Sequence, residues 1–524
     1  MAVAILSLIG LAALVLYTVL TCYQNYRKCP QFDGPFLAKI SGAWLFFHTF
    51  SGKLNEDNAA LLRNHGSFVR ISPDKVVTND PVVLRHMSSP RSDFRRGTFY
   101  DAFSTQPTLR NVLSQKDEKL HNSLRSKLIR GYSGKDLPNL EADIDARIAD
   151  LVALIGSECS NNKLIDFSSF AQYFTLDVLT HISFSAPVGY LTQNRDVYSY
   201  ISKVSDFLQV LELGANIPTV QRILDSVLMA PFRPKITDAD GMGAMMGMAS
   251  KAVAFHYAPD AKAYPDMLGS FIKHGLTQQE AESEAMVQVL GGSDSTATAV
   301  RMIMLYIITH PEVYGKCVKE IEANESVFGD SISSAASRQH LPYVQACIKE
   351  GLRIWPPLQA LNSKLSPPGG ETVNGVFIPG GIEVCHNAYT TQRRTEIYGV
   401  DADQFRPERW LEAAEEAGKA HAASIDQGLG EDGVSVGAGG DGKTRLARME
   451  STLELIFGSG RFGCLGRHIA LIELDKVIPV LLRDFGWAVA DPSRGIESKC
   501  FGVFVQKGMW LKATPRRVHD KHSE

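Results

Sequence analysis

Cys464 lies in FGSGRFGCLGRHIALIELDKVIPVLL (457–482), where glycines 458, 460, 463 and 466 crowd around one thiol and a helical pattern begins directly after it. Few folds have a use for that arrangement. Ala470, Leu474, Val477 and Leu481 recur at three- and four-residue spacing and form the apolar stripe of the helix. A thiol ahead of a helix faces unpaired N–H groups and the positive end of the helix dipole, both of which favour thiolate. Glycines let the backbone turn tightly and let a flat, bulky ligand approach without Cβ clashes. The segment reads as a metal-thiolate ligand. A catalytic nucleophile is the competing reading, but no base lies nearby in sequence and His468 falls inside the helix. The other cysteines (Cys22, Cys29, Cys159, Cys317, Cys347, Cys385 and Cys500) form no C-x-x-C pair and have no histidines at zinc-finger spacing. A disulfide scaffold or structural zinc site is therefore not expected, and a reducing compartment fits.

Two further segments carry polar groups where an apolar core is expected. The run PYVQACIKEGLRIW (342–355), opened by Pro342 and stopped by Pro356-Pro357, places Glu350 and Arg353 three apart on one helical face. Such a pair is often a solvated surface pair, but Arg409 of FRPERW (405–410) can join it as a buried Glu–Arg–Arg network. The long helical run 277–308 opens on the capping box Thr277-x-x-Glu280 and contains GGSDST at 291–296. Each glycine inside a helix costs about 1 kcal/mol relative to alanine. Either the helix is kinked and Asp294 is solvated, or the glycines make room above a planar cofactor and Asp294 with Ser295 relays protons in a buried pocket.

The N-terminus sets the location. Its first 26 residues contain no Asp, Glu, Lys, Arg or His, and Ala2 to Leu20 read AVAILSLIGLAALVLYTVL. Helical residues rise 1.5 Å each, so about nineteen of them span about 28 Å, close to the hydrocarbon thickness of a bilayer. A cleaved signal peptide would want a basic start, a shorter apolar core and a small-x-small site. Arg27 and Lys28 follow at once, which places the bulk of the chain on the cytosolic side of a single-pass anchor, 1–26. Pro30 and the DGP turn at 33–35 make 27–35 a hinge.

Beyond the anchor the pattern is mainly α with small β-sheets. Helical periodicity marks 141–155 and 167–184, and extended pieces fall near 67–79, 372–386 and 500–512. Seven glycines within 428–442, flanked by Ala/Glu-rich sequence, predict a mobile insertion loop over 412–449. The 524 residues would allow about three domains, but motifs on both sides of that loop belong together. One domain over 36–515 with a tail at 516–524 is the expectation. With 54 Lys+Arg against 57 Asp+Glu, no broad basic field offers itself to nucleic acid.

In chain order, the anchor and turn, a His-x-x-x-Arg element at His121 and Arg125, GGSDST, EGLR (350–353), FRPERW and the cysteine loop resemble the cytochrome P-450 superfamily of haem-thiolate monooxygenases. GYSGKDL at 131–137 and the GSDST helix are most similar to its fungal microsomal branch. The resemblance implies the triangular α-rich haem domain of that family, haem b as cofactor and Cys464 as axial iron ligand. It implies a structural network of Glu350, Arg353 and Arg409, oxygen activation at Asp294 and Ser295, and haem propionates held by His121 and Arg125. The substrate wall would include Phe99, Phe103, Leu361 and Phe504. Dioxygen, an NADPH-cytochrome P-450 reductase, the endoplasmic reticulum membrane and a lipophilic natural product follow as partners. Reductase-independent rearrangement, dehydration or peroxide use, and a non-enzymatic haem sensor, are the alternatives.

The chain departs from the family pattern in three places. The loop usually carries Arg where Phe462 stands, which leaves Arg461 and Lys364 as further candidate propionate cations. Ser295 replaces the usual Thr, keeping a hydroxyl with a freer rotamer. The helix near His121 lacks a common Trp.

Overall fold

Residues 2–104, 109–426 and 443–516 are described by a computed structural model of the chain. Helix α1, Ala2–Arg27, is long and apolar enough to cross a membrane and none of its apolar span is buried. Its last carbonyls are not left to solvent: the buried Arg70 guanidinium donates to Tyr26 O at 3.0 Å and to Asn25 O. The chain turns after Arg27 and enters the domain through α2, Ala43–Phe50. Strands β1, Phe68–Ser72, and β2, Lys75–Thr78, fall where the alternation at 67–79 predicts them. Strand β3 is the dipeptide Arg95–Arg96.

The core is helical. Helices α3, Glu118–Tyr132, α4, Phe167–Phe184, α5, Tyr200–Asn216, and α6, Gln278–Ile308, follow in order. Almost all of α4 is buried, and it runs along α6. Gly292 permits that closeness, since a Cβ there would sit 3.0 Å from Leu179 of α4. Thr277 and Glu280 close the capping box at the start of α6 as the sequence predicts. Outside the packed core, Val227, Leu228 and Phe232 are 89%, 81% and 81% exposed. That apolar cluster on the segment after α5 is larger than scattered surface residues explain.

Helix α7, Pro342–Ile354, leads to strands β4, Lys364–Leu365, and β5, Glu383–His386. The main sheet runs β1-β2-β5-β4-β3, with β2 and β5 parallel and the remaining pairs antiparallel. Its last pairing sets Arg96 directly opposite Lys364. Helix α8, Glu408–Asp426, corrects the expected loop: its Ala/Glu-rich sequence is strongly helix-forming, and buried Trp410 and Ala413 anchor its first turns. Arg445, in the helix Arg445–Leu453, pairs with Glu416 of α8 at 3.0 Å. Residues 427–442, with the glycine-rich run, and 517–524 of the expected tail lie outside the described residues. Helix α9, Arg467–Asp484, follows the cysteine loop, and strands β6, Glu497–Phe501, and β7, Val503–Lys507, form a hairpin that turns at Gly502.

Candidate active site

A cavity of about 430 Å³ lies between α6 and the loop that carries Cys464. The loop is wound tightly. Cys464 N–H donates to Phe457 O at 2.7 Å, and Gly460–Phe462 form a single 3-10 turn. Gly460 has φ +55°, and a Cβ at that position would sit 2.1 Å from the carbonyl oxygen of Ser88, so only glycine fits. Cys464 is the one exposed thiol of the eight, yet burial within the protein raises its pKa. The two observations agree because its free surface opens into the cavity. Backbone N–H groups of Gly466 and Arg467, with the charges of Arg125 and Arg467, act in the opposite direction and favour thiolate.

Cations gather around the same cavity. Arg96 of β3, His121 and Arg125 of α3, and Lys364 of β4 all line it. None of Arg96, Arg125 and Lys364 pairs with a carboxylate among the described residues. Arg96 donates to the carbonyls of Val112 and Gln115, both at 2.7 Å, and its Nε is buried without a partner. Lys364 Nζ donates to Tyr100 Oη and to Asn362 O. Desolvation lowers the pKa of Arg96 to about 10, and desolvation with the charge of Arg96 drives Lys364 well down. Burial, Arg96 and Arg125 bring His121 to about 4, so its ring is neutral at pH 7. Like charges facing each other across a strand pair repel, as at Arg96 and Lys364, and an anion in the cavity relieves them.

Phe462 holds this cluster together where the family pattern has a cation. Its ring centroid lies 4.9 Å from each of Arg96, Lys364 and Arg461. The negative face of an aromatic ring attracts such groups. Arg461 does not line the cavity, contrary to the sequence expectation. It is committed to the loop, pairing with Glu118 at 2.8 Å and donating to Ser92 O at 2.7 Å and Phe94 O at 2.5 Å. Nothing local in the sequence distinguishes Arg96 from Arg95; only the pairing with β4 brings it into the cavity.

On the opposite wall, Gly291 opens to the cavity, with nothing within 4 Å of where its Cβ would be. Ser295 lines the cavity and its hydroxyl donates to Gly291 O at 2.8 Å. Thr296 lines it as well, a second hydroxyl the motif contains. Asp294 does not. It faces α4, where its Oδ1 accepts from Gln172 Nε2, whose Oε1 accepts from Arg301 at 2.9 Å. Successive helical residues point about 100° apart, so Asp294 and Ser295 serve different sides. Burial raises Asp294 to about 6 against the charge of Arg301 and the Gln172 hydrogen bond, and its Oδ2 is unpartnered.

Behind the cysteine loop, Glu350, Arg353 and Arg409 are fully buried together. Arg353 binds both carboxylate oxygens at 2.8 and 2.7 Å, and Arg409 Nε donates to Glu350 Oε1 at 2.9 Å. Trp410 Nε1 completes the set at 2.9 Å. The remaining guanidinium N–H groups reach carbonyls of Gln392, Ala402, Gln404, Tyr398 and Asp401, and Arg409 also donates to the Asp401 carboxylate at 2.9 Å. The network thereby fixes the segment 392–404. Gln392 in turn donates to Thr452 O at 2.7 Å, just before the cysteine loop.

Phe99 and Phe103 line the cavity. Leu361 and Phe504 do not; Leu361 is packed in the core near the main sheet, and the Phe504 ring meets Trp355 at a tilt, centroids 5.2 Å apart. Side chains of extended chain alternate between faces, so Ala360 and Val503, one residue away, face the cavity instead. Glu473 of α9 lines it too, unnoticed in the sequence because it sits in the apolar stretch of a helix; burial pushes its carboxyl to about 8.

A family model described as Cytochrome P450 matches residues 34–508. Among curated proteins, "Cytochrome P450 monooxygenase ABA1" of Pyricularia oryzae is 36% identical over 520 residues, covering 97% of this chain and 96% of that protein. "Cytochrome P450 monooxygenase aba1" of Botryotinia fuckeliana is 34% identical over 498 residues, 93% of this chain and 92% of its own length. "Cytochrome P450 monooxygenase mpaDE" of Penicillium roqueforti is 28% identical over 499 residues, 92% of this chain but 54% of that longer protein.

Proposed function

Because the chain belongs to the cytochrome P-450 family of monooxygenases, we propose that it binds haem b through Cys464, takes electrons from an NADPH-cytochrome P-450 reductase and oxidises a lipophilic small molecule in natural-product biosynthesis. The observation that carries this reading is one cavity shared by a thiol with two backbone N–H groups on its sulfur and three cations without carboxylate partners among the described residues. That donor set fits a flat iron chelate with acidic side groups. Bound haem supplies the binding and reductive activation of dioxygen, chemistry that amino-acid side chains lack.

The chain's own residues do the rest. Arg96, Arg125 and Lys364 would hold the cofactor's carboxylates, Phe462 keeping Arg96 and Lys364 in place and Gly463 O holding Arg125. Apolar walls exclude water from the reacting centre. The Ser295 and Thr296 hydroxyls face the cavity and can hand a proton into it, while Asp294 stores one at a carboxyl turned toward α4 that must swing away from Gln172 to reach them. Helix α1 anchors the protein in the endoplasmic reticulum membrane with the domain in the cytosol, a placement supported by Arg27 and Lys28 after the span and by the exposed Val227, Leu228 and Phe232. The fungal sources of the relatives support a natural product as substrate.

The reduced protein under carbon monoxide tests the ligand. A red-shifted Soret band, lost in Cys464→Ala together with turnover, is the expected result; an unshifted band in the unaltered protein sinks the reading. Turnover that persists without NADPH and reductase sinks the electron source.

A further inference from the structure

Glu212 is a carboxyl set into an apolar wall. It follows Leu208 and Leu211 on α5, and all three line the cavity. Only 5% of Glu212 is exposed. Its Oε1 accepts a hydrogen bond from Asn216 Nδ2 at 2.9 Å, and the same amide donates to Thr49 Oγ1 of α2 at 3.2 Å. That second bond fixes the amide, and the amide fixes the carboxyl. Oε2 makes no hydrogen bond among the described residues. It lies against the hairpin turn, where a Cβ on Gly502 would come within 2.7 Å of it. Gly502 has φ +78°, so the turn and the space for the carboxyl are secured by one residue.

Leucine at 212 would cover the same wall without the cost of desolvating a carboxyl. Burial pushes Glu212 up to about 7, opposed only by the Asn216 hydrogen bond. A neutral carboxyl presents one donor and one acceptor, the complement of an alcohol. An ammonium group is the poorer match, because a carboxyl whose ionisation burial opposes gives it little charge in return for its desolvation among Leu208 and Leu211.

We propose that Glu212 determines specificity by recognising, through its unpartnered Oε2, a hydroxyl group on an otherwise apolar and uncharged substrate. The hydroxylated end then rests between α5 and the β6–β7 turn, and the apolar remainder extends toward the cysteine loop. A polar group of the substrate is therefore already present before this enzyme acts, supplied by an earlier hydroxylation or hydrolysis. The assignment rests on reading the cavity as a monooxygenase substrate site.

Four probes with one tail and different heads test it: dodecane, 1-dodecanol, laurate and dodecylammonium, measured by equilibrium dialysis against the full haem-loaded chain. The unaltered protein should bind 1-dodecanol about tenfold tighter than dodecane, since a site built for a hydroxyl rejects a partner lacking it. Glu212→Leu should erase that ratio and leave dodecane affinity within about threefold. Glu212→Gln, which keeps a donor and an acceptor, should retain most of the ratio. Equal weakening of both probes in Glu212→Leu, an unchanged ratio, or a Glu212-dependent preference for dodecylammonium or laurate overturns the proposal. The carbon monoxide spectrum of the same preparations separates the two readings. A shifted band without the alcohol preference rejects Glu212 alone, and an unshifted band with the preference intact rejects the proposed function while the hydroxyl site stands.

Discussion

The guanidinium of Arg125 donates a hydrogen bond to the carbonyl oxygen of Gly463 across 2.8 Å, tying α3 to the residue immediately before Cys464. One cation thus braces the thiol loop from the same cavity, where no carboxylate among the described residues pairs with it. Arg125→Leu is expected to lower the haem-to-protein ratio several-fold, read as the pyridine haemochrome. Arg125→Lys should fall between, because an ammonium group keeps the charge without the planar fork. A ratio unchanged in both variants counts against a role for Arg125 in cofactor retention.

Burial pushes the Asp294 carboxyl up to about 6, against the charge of Arg301 and the Gln172 hydrogen bond, so it exchanges a proton near neutral pH. Asp294→Asn should slow turnover about 10²-fold and remove the limb of the pH–rate profile near pH 6. Stability carries the same signature. A pKa raised on folding favours the native state at pH below the ordinary aspartate value, and that contribution is lost as pH rises through about 6. The melting temperature of Asp294→Asn should therefore fall less than that of the unaltered protein between pH 4 and pH 7.

Glu350 sits wholly buried between Arg353 and Arg409. Burial by itself would raise its pKa, but the hydrogen bonds and charges of the two arginines hold it below the usual range. Removing one partner leaves a buried charge uncompensated, at about 3–5 kcal/mol. Glu350→Gln, which removes the carboxylate shared by both buried guanidinium groups, should cost that much in urea denaturation and sharply reduce soluble haem-loaded protein. Glu408→Gln, on the partly exposed residue next to Arg409, should cost under about 1 kcal/mol.

His256 and Asp266 form a second buried pair at 2.8 Å. Burial opposes the charged imidazole, yet the hydrogen bonds to Asp266 and to Ala252 O outweigh it and raise the histidine pKa. The pair's contribution is complete below the ordinary histidine pKa and fades as pH climbs through the raised native value. Melting temperature should drop between pH 6 and pH 9 in the unaltered protein, and the drop should be shallower in His256→Gln. Parallel curves refute the linkage.

Local chemistry was readable from sequence wherever spacing alone fixes it. Glu350 and Arg353 are one helical turn apart, Thr277 and Glu280 cap their own helix, and Cys464 precedes the helix whose stripe begins at Ala470; none needs a distant partner to be seen. Arg96 and Glu212 are different. One enters the cavity through a two-residue strand pairing, the other through the meeting of α5 with a hairpin turn, and both are products of long-range topology. Leu361 and Phe504 failed for a third reason. A one-residue error in an extended segment exchanges the inward and outward faces, so Ala360 and Val503 took their places. The Ala/Glu-rich stretch after Trp410 looks poor in core residues, yet two buried side chains suffice to dock a helix of such high propensity.

Phe462 has a consequence for any attempt to exchange parts between relatives. Three cationic side chains converge on its ring, and two of them come from strands far from the loop in sequence. A cysteine loop transplanted from a protein with arginine at this position would bring a fourth positive charge into the cluster and remove the surface on which the other three rest. The loop and the strands facing it therefore act as one unit, and a graft that carries one without the other sets cation against cation.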